Sequence, residues 1–123
     1  MKKEAVLYYG NQKNSDSVNS LHISEEVVAT VAKLATSEIE GVSALALLPA
    51  ALFPPAPPKT VEVKVADNVA VIHVGINIKY GYKVTDVALR IQNSVKSAVQ
   101  SMTGITVDKV NVSVAGIDFG ENG

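Results

Sequence analysis

The sequence predicts an α+β fold: a two-layer sandwich with two helices on one face of a small, mostly antiparallel sheet, in the order β-α-β-β-β-α-β. Three observations carry this. Two stretches place apolar residues at helical spacing and end near a glycine, Gly41 and Gly104. Between them, Val61 to Tyr80 alternates apolar and polar residues about a central Asp67-Asn68. Setting Gly41 on Gly104 brings Val28 onto Ile91, Ala35 onto Ala98, Ile39 onto Met102 and Val42 onto Ile105, so a helix-glycine-strand unit occurs twice. Two such apolar stripes covering one sheet face make a two-layer core.

Residues 1–20 are polar, rich in Asn, Ser and Lys, and read as a flexible tail before one domain spanning 21–119. "LHIS" (Leu21 to Ser24) alternates as a short strand and ends at a helix cap. Ser24 offers an oxygen to the free N–H groups of the first turn, and Glu25 and Glu26 complement the helix dipole there. Val27, Val28, Val31, Leu34, Ala35 and Ile39 form the first apolar stripe, and Gly41 supplies a left-handed residue to end the helix. Glu38 and Glu40 sit at the wrong end of that dipole. One of them is therefore a candidate for a bonded role, against the simpler reading of solvated side chains.

The strand-like "VSALALL" runs into "PAALFPPAPPK". All five prolines of the chain fall there, which makes 47–59 an extended loop inside the domain. Leu47, Leu48, Leu52 and Phe53 make that loop apolar. They either pack back on the body or dock on a partner or membrane surface. In the hairpin that follows, Ala70, Ile72, Val74, Ile76, Ile78 and Tyr80 share one face of the return strand. Val71, His73, Gly75, Asn77 and Lys79 share the other, wetter face. The second helix takes Thr85 as its cap and Asp86 in its first turn. Val87, Ala88, Ile91, Val95, Ala98, Val99 and Met102 form its stripe, and Gly104 ends it. The last strand points Val110, Val112 and Val114 inward, with Asn111 and Ser113 outward. Residues 120–123 are a short tail.

Composition limits the chemistry. The 123 residues suffice for a single core. At 47% hydrophobic and 19% charged the chain is globular in type, and with aromatics at 5% the core must be aliphatic. A net charge of -1 gives no global attraction to nucleic acid or anionic lipid. The absence of cysteine removes disulfides, thiolate metal sites and cysteine nucleophiles. No run approaches the ~20 apolar residues of a membrane-spanning helix, and Ala5 to Tyr9 is too short for a signal-peptide core, so a cytoplasmic protein is expected.

No catalytic pattern emerges. His22 and His73 are the only histidines, with no reason to converge, so no metal site and no cofactor are expected. No serine sits in a nucleophile elbow, and the carboxylates scatter over caps, turns and exposed faces. "KYGYK" (Lys79 to Lys83) lacks the spacing of a phosphate loop and reads as a turn. The wet sheet face lacks base-stacking aromatics, which argues against nucleic acid. Its residues His73, Asn77, Lys79 and Asn111 are the interface candidates there, beside Leu47, Leu48, Leu52 and Phe53 on the loop.

"ISEEVVATVAKLATSEIEGV" and "YGYKVTDVALRIQNSVKSAVQSMTGITVDKVNVSVAGI", in that order, resemble the alkaline-shock protein family of Gram-positive bacteria, the envelope stress response proteins. The most specific piece is Ile91-Gln92, Val95, Ala98-Val99, Met102-Thr103-Gly104 and Val110-Asn111-Val112; Glu38, Gly41 and Val42 add to it. The resemblance implies a non-enzymatic scaffold, peripheral at the inner face of the cell membrane. There it associates with itself or with a small membrane-anchored protein. An alternative it also implies is a regulatory binding protein of fatty-acid synthesis, linked to acetyl-CoA carboxylase or a fatty-acid kinase. The "LLPAALFPPAPPK" segment and the N-terminal tail depart from the family pattern.

Overall fold

The computed structural model describes residues 24–49 and 58–120. The expected tail over 1–20, residues 21–23 of the strand expected over Leu21 to Ser24, and Leu52 and Phe53 lie outside them. Among the described residues the elements are α1 (Glu25–Ser37), β1 (Val42–Leu45), β2 (Val61–Ala66), β3 (Val69–Lys79), α2 (Val84–Thr103) and β4 (Thr106–Asp118).

Local signals place most of the boundaries. Ser24 Oγ accepts from the Val27 N–H at 3.2 Å, so α1 starts at its predicted cap, with Glu25 and Glu26 in the first turn. Asp67 and Asn68 adopt φ of 52° and 64°, the double left-handed turn that matches strand twist in a two-residue hairpin. Gly104, at φ 79°, ends α2 by donating to Gln100 O at 3.0 Å.

Two boundaries differ from expectation. The residue before α2 is Lys83 rather than Thr85, and its side chain makes no capping bond; the helix begins at Val84. α1 ends at Ser37, with Glu38 as its C-terminal cap and its N–H turned to Thr36 O. Gly41 lies beyond the helix. Two further tight bonds, Ile39 N–H to Thr36 O and Val42 N–H to Ile39 O, both 3.1 Å, carry the chain through Gly41 (φ 101°) into β1.

β3 is the centre of a four-stranded sheet. β2 pairs with it antiparallel over residues 69–74, and β1 antiparallel over 76–78, end to end along the same side. β4 occupies the other side and runs parallel, from Val69↔Thr106 to Lys79↔Asp118. The α2 crossover is what permits this parallel pairing. Gly75 marks the junction of β1 and β2. Its N–H donates to Thr60 O and its C=O accepts from Ala46 N–H, both at 2.8 Å.

Both helices cover one face. Val28, Ala32, Ile72, Ile76, Ile91, Val95 and Val99 are fully buried between the layers. The helix-glycine-strand correspondence holds at Val28/Ile91 and at Val42/Ile105, all buried. It fails at Ile39/Met102, because α1 has already ended. Leu34, Tyr80, Met102 and Val114, expected inward, are exposed. On α1 the body buries the Val28–Ala32–Ala35–Thr36 side, and Leu34 points away from it. Tyr80 lies past the end of β3.

Candidate interaction surfaces

Three regions of the surface bring together side chains that could meet a partner. The first is a groove of about 580 Å³ between α1 and β2, lined by Ala29, Lys33, Leu47, Pro58, Val61 and Val63 among others. Leu47 is well exposed beside it, whereas Leu48 is buried away from the main core. The Leu48 N–H donates to Lys59 O at 2.8 Å, which ties together the two ends of the proline-rich segment. Polar contacts flank the groove. Glu25 Oε2 accepts from the Val65 N–H at 3.0 Å, and the Lys59 ammonium sits 2.8 Å from Glu62, whose carboxylate raises the lysine pKa. Glu62, which alternates with Val61 and Val63 along β2, is buried.

The second region is the outward sheet face. His73, Asn77 and Lys79 share it on β3, and Asn111 lies beside His73 on β4. Asn111 Nδ2 approaches His73 Nδ1 at 3.4 Å. Glu62 is the cross-strand neighbour of His73 on β2, and Lys64 lies 3.8 Å from Glu62. Lysine charge here is thus partly answered within the face. Part of the face is closed by backbone. A side chain at Gly75 would point outward and meet Ala46 O at 2.3 Å, so the chain leaving β1 lies directly against it.

The third region gathers residues that sequence reasoning did not assemble. At the end of β3 and β4, Tyr80 and Phe119, both exposed, stack with ring centroids 5.2 Å apart. Asp118 Oδ2 accepts from Ser43 Oγ and its other oxygen from Gly120 N–H at 2.9 Å, which together hold the carboxyl below its ordinary pKa. Tyr82 OH donates to Glu40 Oε2 at 3.0 Å and the carboxylate raises the phenol pKa. Of the two glutamates flagged at the end of α1, Glu40 is the bonded one. The available signal was the cluster of aromatic residues in "YGY" beside a helix start, but nothing local ties it to Glu40.

Among the described residues no three His, Asp or Glu side chains converge as metal ligands, and no helix is long and apolar enough to cross a membrane. A second groove, about 290 Å³, runs between α2 and the start of β4 past Gln92, Lys96 and Lys109.

Comparison with known proteins adds what geometry alone does not. Over 110 residues the chain is 34% identical to the uncharacterized protein Spy1614 of Streptococcus pyogenes serotype M6, covering 83% of this chain and 91% of that one. It is 26% identical over 107 residues to the uncharacterized protein YqhY of Bacillus subtilis, covering 83% and 79%. Among solved structures, a MamM CTD in a copper form aligns at 16% identity and a TM-score of 0.49, covering 77% of this chain and 100% of that one. A nickel form of MamM CTD aligns at 15% and 0.48, covering 76% and 99%. A family model matches residues 13–119, which span both helices and the whole sheet. The chain therefore belongs to the alkaline shock protein 23 family, whose function is cell envelope-related.

Proposed function

We propose that this protein is a non-enzymatic scaffold of the cell-envelope stress response, working by association with itself or with a small membrane-anchored protein at the inner face of the membrane. Family membership supports the envelope setting. The observation that carries the binding role is the groove between α1 and β2. It has an exposed Leu47 at its edge, the root of an apolar, proline-rich segment whose ends are pinned by the Leu48–Lys59 bond. An exposed leucine beside a groove whose apolar floor of Ala29, Val61 and Val63 is rimmed by Glu25, Glu26, Lys33 and Lys59 is a starting point for a binding contact rather than for catalysis.

The test is mild crosslinking in cells, purification through a C-terminal tag and mass spectrometry of the recovered proteins. A small membrane protein in stoichiometric yield, lost in Leu47→Asp while the circular dichroism spectrum stays unchanged, is the expected result. Recovery that survives Leu47→Asp removes the groove from the reading. Recovery of acetyl-CoA carboxylase or fatty-acid kinase subunits instead replaces the scaffold with a metabolic regulator.

A further inference from the structure

β4 is an edge strand. β3 pairs with one of its sides, and among the described residues no strand pairs with the other. Such an edge is a template for another strand unless charge, proline or a covering element blunts it. From Val110 to Ile117 the sequence "VNVSVAGI" has neither charge nor proline. α2 covers only the beginning: Gln100 Oε1 accepts from Val107 N–H and Gln92 Nε2 donates to Val110 O, each at 3.0 Å.

Those two bonds also fix which peptide groups face outward. Along a strand the backbone groups of alternate residues point to the same side. Since Val110 O points to the free edge, Val112 and Val114 do as well. The one-residue step at Ala115, between Ile76↔Val114 and Asn77↔Gly116, adds Ile117 to the set. Asp118 belongs to the other set, and its C=O does accept from Tyr80 N–H at 2.8 Å beside β3. The side chains of Val114 and Ile117 lie on the helix side of the sheet yet are 36% and 49% exposed. Among the described residues nothing covers this end of the strand.

We propose that the free edge of β4 pairs antiparallel with β4 of a second copy, about a two-fold axis at Ser113. This rests on the self-association half of the function proposed above. In that register Val112 lies opposite the partner's Val114, and Val110 opposite the partner's Ile117. Asn111 lies opposite the partner's Gly116, and Lys109 opposite the partner's Asp118. From Val110 to Ile117 every edge-facing residue meets another, with the Val110 carbonyl, which already accepts from Gln92, taking a second donor on its other lone pair. Exposed apolar side chains meet apolar ones, and each end of the ladder closes on opposite charges. A one-position shift of the axis to Val112 sets Lys109 against the partner's Gly116. A shift to Val114 sets Asn111 against the partner's Asp118. Both lose the ion pairs, so the charges select the register.

The experiment is sedimentation velocity of the full chain over a range of concentrations, with charge reversals that read the register. Wild type is expected to dimerise. Lys109→Asp and Asp118→Lys should each weaken the dimer about tenfold or more, because each places like charges opposite at both ends. An equimolar mixture of the two variants should recover dimer, since both end pairs are then opposite in sign. Val114→Lys, at an exposed position, should give monomer with an unchanged circular dichroism spectrum. A wild-type chain that stays monomeric overturns the proposal, as does a dimer indifferent to all three variants or a mixture that fails to recover. A dimer that passes while no membrane protein is captured leaves the β4 pairing standing and removes only the membrane reading; a captured membrane protein with a monomeric chain does the reverse.

Discussion

The phenol of Tyr82 donates to the carboxylate of Glu40 at 3.0 Å, across 42 positions of sequence. Its ring lies on Gly41, where an added Cβ would come within 2.9 Å of Tyr82 Cδ2 and 2.8 Å of Val87 Cγ2. Lys79 N–H donates to Gly41 O at 2.8 Å. The turn after α1 is thereby fastened to the end of β3 and the start of α2, and glycine is required for both its φ and its lack of a side chain.

Gly41→Ala should accordingly lower stability by about 2 kcal/mol, from left-handed strain plus overpacking. Gly104→Ala has the strained φ but open space around it, and should cost about 1 kcal/mol. Thermal denaturation of the two variants checks the order.

Gly75→Ala should cost more than either, about 3 kcal/mol, because its Cβ meets backbone, the Ala46 carbonyl oxygen, which cannot rotate away. The loss should be local to the β1–β2 junction. Hydrogen exchange of the Ala46 and Gly75 amides, both bonded there, should rise before that of the β3–β4 ladder.

Thr36 is fully buried, and its hydroxyl has no hydrogen-bond partner among the described residues. Replacing it with the isosteric valine removes an unpaid desolvation cost, so Thr36→Val should raise stability by about 1 kcal/mol. A lowered denaturation midpoint would mean that the hydroxyl is bonded in solution.

Asp118 contributes a pH dependence at the acid end. Its carboxyl is held down first by the Ser43 hydroxyl and then by the Gly120 N–H. A folded-state pKa below the unfolded one means that the tie is fully present above the unfolded value, about 4, and is lost as pH falls through the folded value. Carbon-detected NMR titration of Asp118 should show a midpoint below the usual carboxylate range, returning toward it in Ser43→Ala. Tyr82 shifts the other way: its midpoint lies above the ordinary phenol value because of Glu40, and Glu40→Gln should lower it.

Much of the fold was legible because its signals are local. Ser24 before two glutamates, Asp67-Asn68 between alternating runs, and Gly104 after an apolar stripe each act within a few residues, where a cap or turn is decided. The interface candidates were legible only as faces. His73, Asn77, Lys79 and Asn111 do share the outward sheet face, as period-two alternation requires. Leu47 and Leu48 separate, one exposed and one buried, because the chain leaving β1 turns against Gly75.

By itself the sequence determined the helices, the hairpin, the aliphatic core and the alternation of faces along β2 and β3, since periodicity and caps are properties of neighbouring residues. Tertiary structure alone decided that β4 runs parallel to β3, that β1 and β2 share one side of it, and that Tyr82 reaches Glu40. Such pairings depend on which distant surfaces meet. Many pairings satisfy one hydrophobic pattern equally well, and only the packed chain selects among them.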